Sequence, residues 1–151
     1  MKVKVGDKAP DFTALNEKGE SVALSSFRGK WVVLYFYPKD DTPGCRAEAL
    51  SFKENWDELM KAGVVMLGVS GDSPESHKRF KEKYGLPFTL LSDPEDKIRE
   101  MYGAKGILIP GRVTFLMDPE GVVRLAYSSQ LNPTSHVKEV LRVLQRVNAT
   151  T

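Results

Sequence analysis

The chain has 151 residues, 22 Lys and Arg against 20 Asp and Glu for a net charge of +2, 41% hydrophobic residues and a single cysteine. This balance excludes a disordered or collagen-like chain, a disulfide-stapled scaffold and a Cys-x-x-Cys redox or zinc motif, and it offers no basic field for nucleic acid. The longest uncharged apolar run, residues 31–37, is far short of the ~18–20 residues of a membrane span, and the first ten residues lack a signal peptide's apolar stretch, so a soluble, cytoplasmic chain forming one domain over residues 1–151 is expected.

Residues 11–15 and 21–24, separated by a turn at 16–19, alternate as a β-hairpin and read as an N-terminal extension closed at Arg28 and Gly29. Residues 31–37 (WVVLYFY) are apolar at every position, as a central strand covered on both faces requires. Ala49, Phe52, Trp56, Leu59 and Met60 then form the stripe of one helix ending at Ala62 and Gly63, before a second apolar strand at 64–69. Strand, helix and buried strand imply a parallel pair joined by a right-handed crossover.

Ser73-Pro74 and Asp93-Pro94 each place a capping side chain before a proline at the first helical position and predict two further helices, with a short strand at 88–91 between them. Residues 112–117 and 121–127 flank Asp118-Pro119-Glu120-Gly121, a turn tight enough to force antiparallel pairing. A last helix starts at Asn132-Pro133, with Val137, Val140, Leu141, Leu144 and Val147 as its buried stripe. The predicted α/β architecture is a mixed central sheet with helices on both faces, in the thioredoxin-like order. In such sheets chemistry collects beyond the carboxyl ends of the central strands, which directs attention to the loop after Tyr37.

That loop carries the only cysteine. With Thr42 as cap and Pro43 as first helical residue, Cys45 is the third residue of the helix, among backbone N–H groups that lack helical acceptors. Helix N-termini and neighbouring cations can lower a cysteine pKa from ~8.5 into the range ~3.5 to 7.5, turning a thiol into a nucleophile. The residues taken singly also fit plainer roles: Cys45 a small buried hydrophobe, Thr42 a helix cap, Pro38 loop punctuation, Arg112 a solvated charge at a strand end. Glu48, one turn beyond Cys45, is in reach of Arg46 or Arg112, or of a surface salt bridge. His77 and His136, 59 positions apart with no acidic cluster nearby, fall at helix starts expected to be exposed and receive no role, and no metal site is expected.

The segment FYPKDDTPGCRAEALSF, residues 36–52, resembles the Pro-x-x-x-Thr-x-x-Cys signature of peroxiredoxins, and its Thr-Pro-Gly-Cys form resembles the Q-type, or bacterioferritin comigratory protein, subfamily. The similarity extends in order through GDKAPDF at 6–12, LGVS at 67–70, FTLLSD at 88–93 and RVTFLMD at 112–118. The resemblance implies that Cys45 is the peroxidatic cysteine, Thr42 and Arg112 its polar partners, and Pro38 a shield that keeps water from the sulfur. It implies attack of the thiolate on hydrogen peroxide or an alkyl hydroperoxide, leaving a sulfenic acid, with no prosthetic cofactor.

The chain departs from many relatives at Leu50, where they carry a resolving cysteine, and residues 73–84 hold none either. A one-cysteine mechanism follows, with thioredoxin, glutaredoxin or a low-molecular-weight thiol as external reductant, in a monomer or weak homodimer. Ile107, Leu108 and Ile109 are candidates to line the peroxide entrance or a dimer patch. Two rival readings share the same residues: a redox sensor whose oxidised Cys45 signals to a partner, and a non-catalytic thioredoxin-like binding or chaperone module.

Overall fold

The all-apolar run becomes β3 (Trp31–Phe36), the centre of the sheet, because both its faces are covered. The computed structural model describes residues 2–105 and 111–149. Around β3 stand β1 (Thr13–Asn16), β2 (Ser21–Ala23), β4 (Val64–Ser70), β5 (Thr89–Ser92), β6 (Val113–Met117) and β7 (Val123–Ser128), in the order β2-β1-β5-β4-β3-β6-β7. The β3–β4 and β4–β5 pairs are parallel, while β3–β6, β6–β7, β1–β2 and β1–β5 are antiparallel, so the sheet is mixed as expected. The N-terminal hairpin joins the same sheet through β5.

The helices are α1 (Pro43–Glu54), α2 (Trp56–Lys61), α3 (Pro74–Tyr84), α4 (Lys97–Tyr102) and α5 (Ser135–Ala149). Ala49, Phe52, Leu59, Phe80, Val137, Val140 and Leu144 pack from α1, α2, α3 and α5 onto the face of Val33 and Tyr35. Ile98 and Tyr102 of α4, with Phe12 and Leu24, cover the opposite face of Val32, Leu34 and Phe36. Each such buried Leu or Phe contributes on the order of 1.5–3 kcal/mol relative to exposure. Gly68 is required on β4, since a Cβ there would lie 2.8 Å from the Tyr35 ring. Among the described residues no helix is long and apolar enough to cross a membrane.

Three sequence expectations are corrected. The helix after the loop is two helices, because the Asn55 side chain donates to the Ser51 carbonyl and its backbone leaves helical geometry at φ −103°, ψ 16°. The interruption re-phases the stripe, so Leu59 is buried while Met60 is exposed. Pro94 begins a turn rather than a helix: α4 starts at Lys97, and the Asp93 carboxylate still caps it by accepting from the Ile98 and Arg99 N–H groups. His77 and His136 are fully buried. Their positions gave a usable signal, since 77, 80 and 84, like 136, 140 and 144, repeat at helical spacing with apolar partners.

Candidate active site

At the carboxyl end of β3 the chain leaves the sheet at Tyr37, passes the half-buried Pro38 and enters α1 at Pro43, so Cys45 lies in the first turn, 1% exposed. β6 runs antiparallel to β3, and the residue before it therefore returns to this same end of the sheet. That residue is Arg112, whose Nη1 and Nη2 each lie 3.6 Å from Cys45 Sγ, with the side chain buried. The Arg112 backbone N–H donates to Gln130 Oε1 at 2.9 Å, which fixes where the side chain departs. Gly44 makes the approach possible: a Cβ there would stand 3.0 Å from Arg112 Nη2.

Glu48, left open between partners on sequence, is fully buried and accepts from Arg112 Nη1 at 2.7 Å. Arg46 is instead drawn to Asp41. Burial pushes the Glu48 carboxyl up to about 8, against the opposing pull of Arg112. With its carboxyl raised in this way, Glu48 orients the guanidinium while drawing less on its charge than a carboxylate of ordinary pKa would. Behind it, His136 Nδ1 is 3.6 Å from Glu48 Oε2. Ser129 O can only accept, so His136 Nε2 donates to it and Nδ1 accepts from the Thr114 hydroxyl at 2.8 Å. Burial, reinforced by the Arg112 charge, holds His136 below its ordinary pKa and neutral.

Thr42 occupies the N-cap position, but its hydroxyl does not cap the helix as expected; it donates to the Lys39 carbonyl at 3.0 Å. Asp40 ties the loop to α3, accepting from Tyr37 Oη at 2.6 Å, Ser76 Oγ at 2.8 Å and His77 at 2.7 Å, while its N–H donates to Asp72 Oδ2. His77 thus has the acidic neighbours that sequence distance hid. Asp40, Asp72 and His77 bring three metal-type ligand atoms within 4.8 Å of one another, and all three are engaged in hydrogen bonds. Asp41, at φ 58°, binds Lys83 and Tyr84, which hold its carboxyl at about 2.

The structure brings together Cys45 and Arg112, places Thr42 and Pro38 on the loop leading to them, and adds Gly44, Glu48, His136 and Gln130. Leu50 is half-buried on α1, and Ile107, Leu108 and Ile109 lie outside the described residues. A guanidinium beside a sulfur at a helix start suits nucleophilic chemistry in which negative charge moves from sulfur to oxygen.

A model of the AhpC/TSA family matches residues 5–126. The chain is 48% identical over 147 residues to a chloroplastic peroxiredoxin Q of Sedum lineare, covering 95% of this chain and 79% of that protein. Peroxidoxin BcpB from Mycobacterium tuberculosis superposes with a TM-score of 0.90 at 30% identity, covering 96% of this chain and 98% of that one. The Xanthomonas campestris bacterioferritin comigratory protein, described through its alkyl peroxide reduction activity, superposes with a TM-score of 0.86 at 34% identity, covering 95% and 96%.

Proposed function

The chain belongs to the AhpC/TSA family, in the branch of peroxiredoxin Q and the bacterioferritin comigratory proteins, and from that premise we propose a one-cysteine mechanism centred on Cys45 and Arg112. The protein is a thiol-dependent peroxidase that reduces hydroperoxides. The observation that carries the assignment of residues is the paired 3.6 Å approach of both Arg112 Nη atoms to the only sulfur in the protein that a cysteine supplies.

In this reading the Cys45 thiolate attacks the terminal peroxide oxygen. The O–O bond breaks as the S–O bond forms, the alkoxide or hydroxide leaves with the bond pair and takes a proton from solvent, and sulfur is oxidised by two electrons to the sulfenic acid. Arg112 stabilises the thiolate first and the departing oxyanion next, a fixed charge that needs no reorganisation during the step. Thr42 meets the incoming peroxide with its hydroxyl oxygen, whose proton is already given to Lys39, and Pro38 limits water at the sulfur.

An external thiol then condenses with the sulfenic acid, releasing water and leaving a mixed disulfide. A second thiol attacks the first thiol's sulfur, forming a disulfide between the two reductant thiols and releasing Cys45 as its thiolate. Thioredoxin, glutaredoxin and low-molecular-weight thiols all fit, in a reducing compartment such as the cytoplasm. The large exposed apolar side chains among the described residues, Val5, Leu15, Met60, Met101 and Leu131, lie on separate segments, which favours a monomer or weak homodimer. The test is intact mass after one equivalent of hydrogen peroxide, followed by thiol: gain of one oxygen, reversed by thiol and absent in Cys45→Ser. Peroxide consumption by Cys45→Ser at the wild-type rate refutes the assignment.

A further inference from the structure

Arg99 carries no motif, yet it is the bulkiest fully buried side chain among the described residues, 1% exposed on α4 with its guanidinium 5.5 Å from the Phe36 ring centre. Its bonds are almost all to backbone carbonyls. Nη2 donates to Tyr37 O at 2.5 Å, and Nη1 donates to Gly111 O at 2.5 Å and Ala104 O at 3.3 Å. Nε has no hydrogen-bond partner, with Asp96 Oδ1 3.6 Å away. Burial pulls the Arg99 pKa down, opposed by Asp96, Asp93 and the Cys45 sulfur.

An arginine kept for stability alone is a poor choice here, because an incompletely paired buried charge is often no better than an apolar side chain of similar volume. The placement of its acceptors supplies a different reason. Tyr37 is the last residue before Pro38 and the loop to Cys45, and Gly111 is the residue before Arg112. One planar group with fixed donor geometry therefore spans the two backbone segments that deliver the sulfur and the guanidinium to each other.

We propose that Arg99 is a positioning residue for the peroxidase site: by bridging the Tyr37 and Gly111 carbonyls it sets the separation of Cys45 and Arg112. The proposal rests on the reading that those two residues carry the reaction. It acts through Arg112, so its removal matters only while Arg112 is present.

The experiment is single-turnover oxidation of Cys45 by hydrogen peroxide, followed by stopped flow across pH, in Arg99→Met, Arg99→Lys, Arg112→Ala and the Arg99→Met/Arg112→Ala double variant. Arg99→Met is expected to lower the plateau rate on the order of 10- to 100-fold, the scale of a misplacement near 1 Å. Arg99→Lys keeps the charge but not the planar fork and recovers only part of the rate, and in the Arg112→Ala background the Met change costs nothing more. A wild-type plateau rate in Arg99→Met, with only a lower Tm, overturns the proposal, as does a loss that multiplies in full in the double variant. If Arg99→Met does not fold, Arg99→Lys decides, and a wild-type rate there overturns it. A wild-type protein whose Cys45 hydrogen peroxide leaves unoxidised refutes the underlying reading instead.

Discussion

Cys45 stands between two polar networks of different completeness. On the α3 side, Asp40 accepts from Tyr37, Ser76 and His77 and donates its N–H to Asp72, which also accepts from Ser70. On the β6 side, Arg112 and Glu48 are equally buried, yet Arg112 Nε and Glu48 Oε2 have no hydrogen-bond partner among the described residues. Buried polar atoms are nearly always paired, so open valences mark places where something other than stability set the arrangement. The first network holds a loop, and the second, in the reading proposed above, holds a charge for an arriving oxygen.

The comparison breaks most visibly at Asp40. Asp40→Ala leaves the buried His77 and Tyr37 and the partly buried Ser76 without their common acceptor, and breaking a buried pair from one side costs about 3–5 kcal/mol. Thermal and urea unfolding should register that loss in full, while the fraction that stays folded reacts with peroxide within a few-fold of wild type. A variant with unchanged Tm and a rate reduced as far as that of Arg112→Ala would make the α3 network part of the chemistry and erase the distinction.

Glu48 sharpens it through pH. In the folded protein its carboxyl keeps a proton up to about pH 8, whereas an ordinary glutamate releases it near 4.5. Between those values the folded state binds the extra proton, so the Glu48 contribution to stability is full below 4.5 and is lost as pH rises through 8. Glu48→Gln should flatten this slope in unfolding free energy. Above pH 8 the ionised carboxylate also takes a share of the Arg112 charge, and the wild-type oxidation rate should fall roughly tenfold, short of the 10²–10³ that loss of an oxyanion donor costs. Glu48→Gln, which still offers an oxygen to Arg112, should lack that decline, and an identical decline in both proteins would assign it elsewhere.

The same contrast explains what was legible in the sequence. Period and punctuation determine strands and helices locally, so the apolar run 31–37, the Ser73-Pro74 cap and the Asp118–Gly121 turn led to their elements, and the strand order directed attention to the loop after Tyr37. Cys45 was readable because its setting, a helix start, is local. Glu48's choice of Arg112, the His77–Asp40 contact and the His136–Thr114 bond join residues 22 to 64 positions apart, and no local pattern encodes such pairings. Asp93 misled for the opposite reason: its caps reach the N–H groups of residues 98 and 99 across a turn, where the usual reach is two or three positions.

Gly44 gives the finest test, because stability and rate should move in opposite directions there. In a helix a glycine-to-alanine change is favourable by up to about 1 kcal/mol, and Gly44 lies in α1 outside the left-handed region, so backbone strain does not oppose it. The added Cβ, however, would stand 3.0 Å from Arg112 Nη2, and the guanidinium must give way by a few tenths of an ångström while Glu48 holds its other edge. Gly44→Ala should therefore melt at or above the wild-type temperature and yet react with hydrogen peroxide several-fold more slowly, a smaller loss than a 1 Å misplacement brings. If the rate is unchanged while the protein melts higher, Arg112 tolerates displacement, and the unpaired atoms around it are slack in the packing rather than a charge held in position.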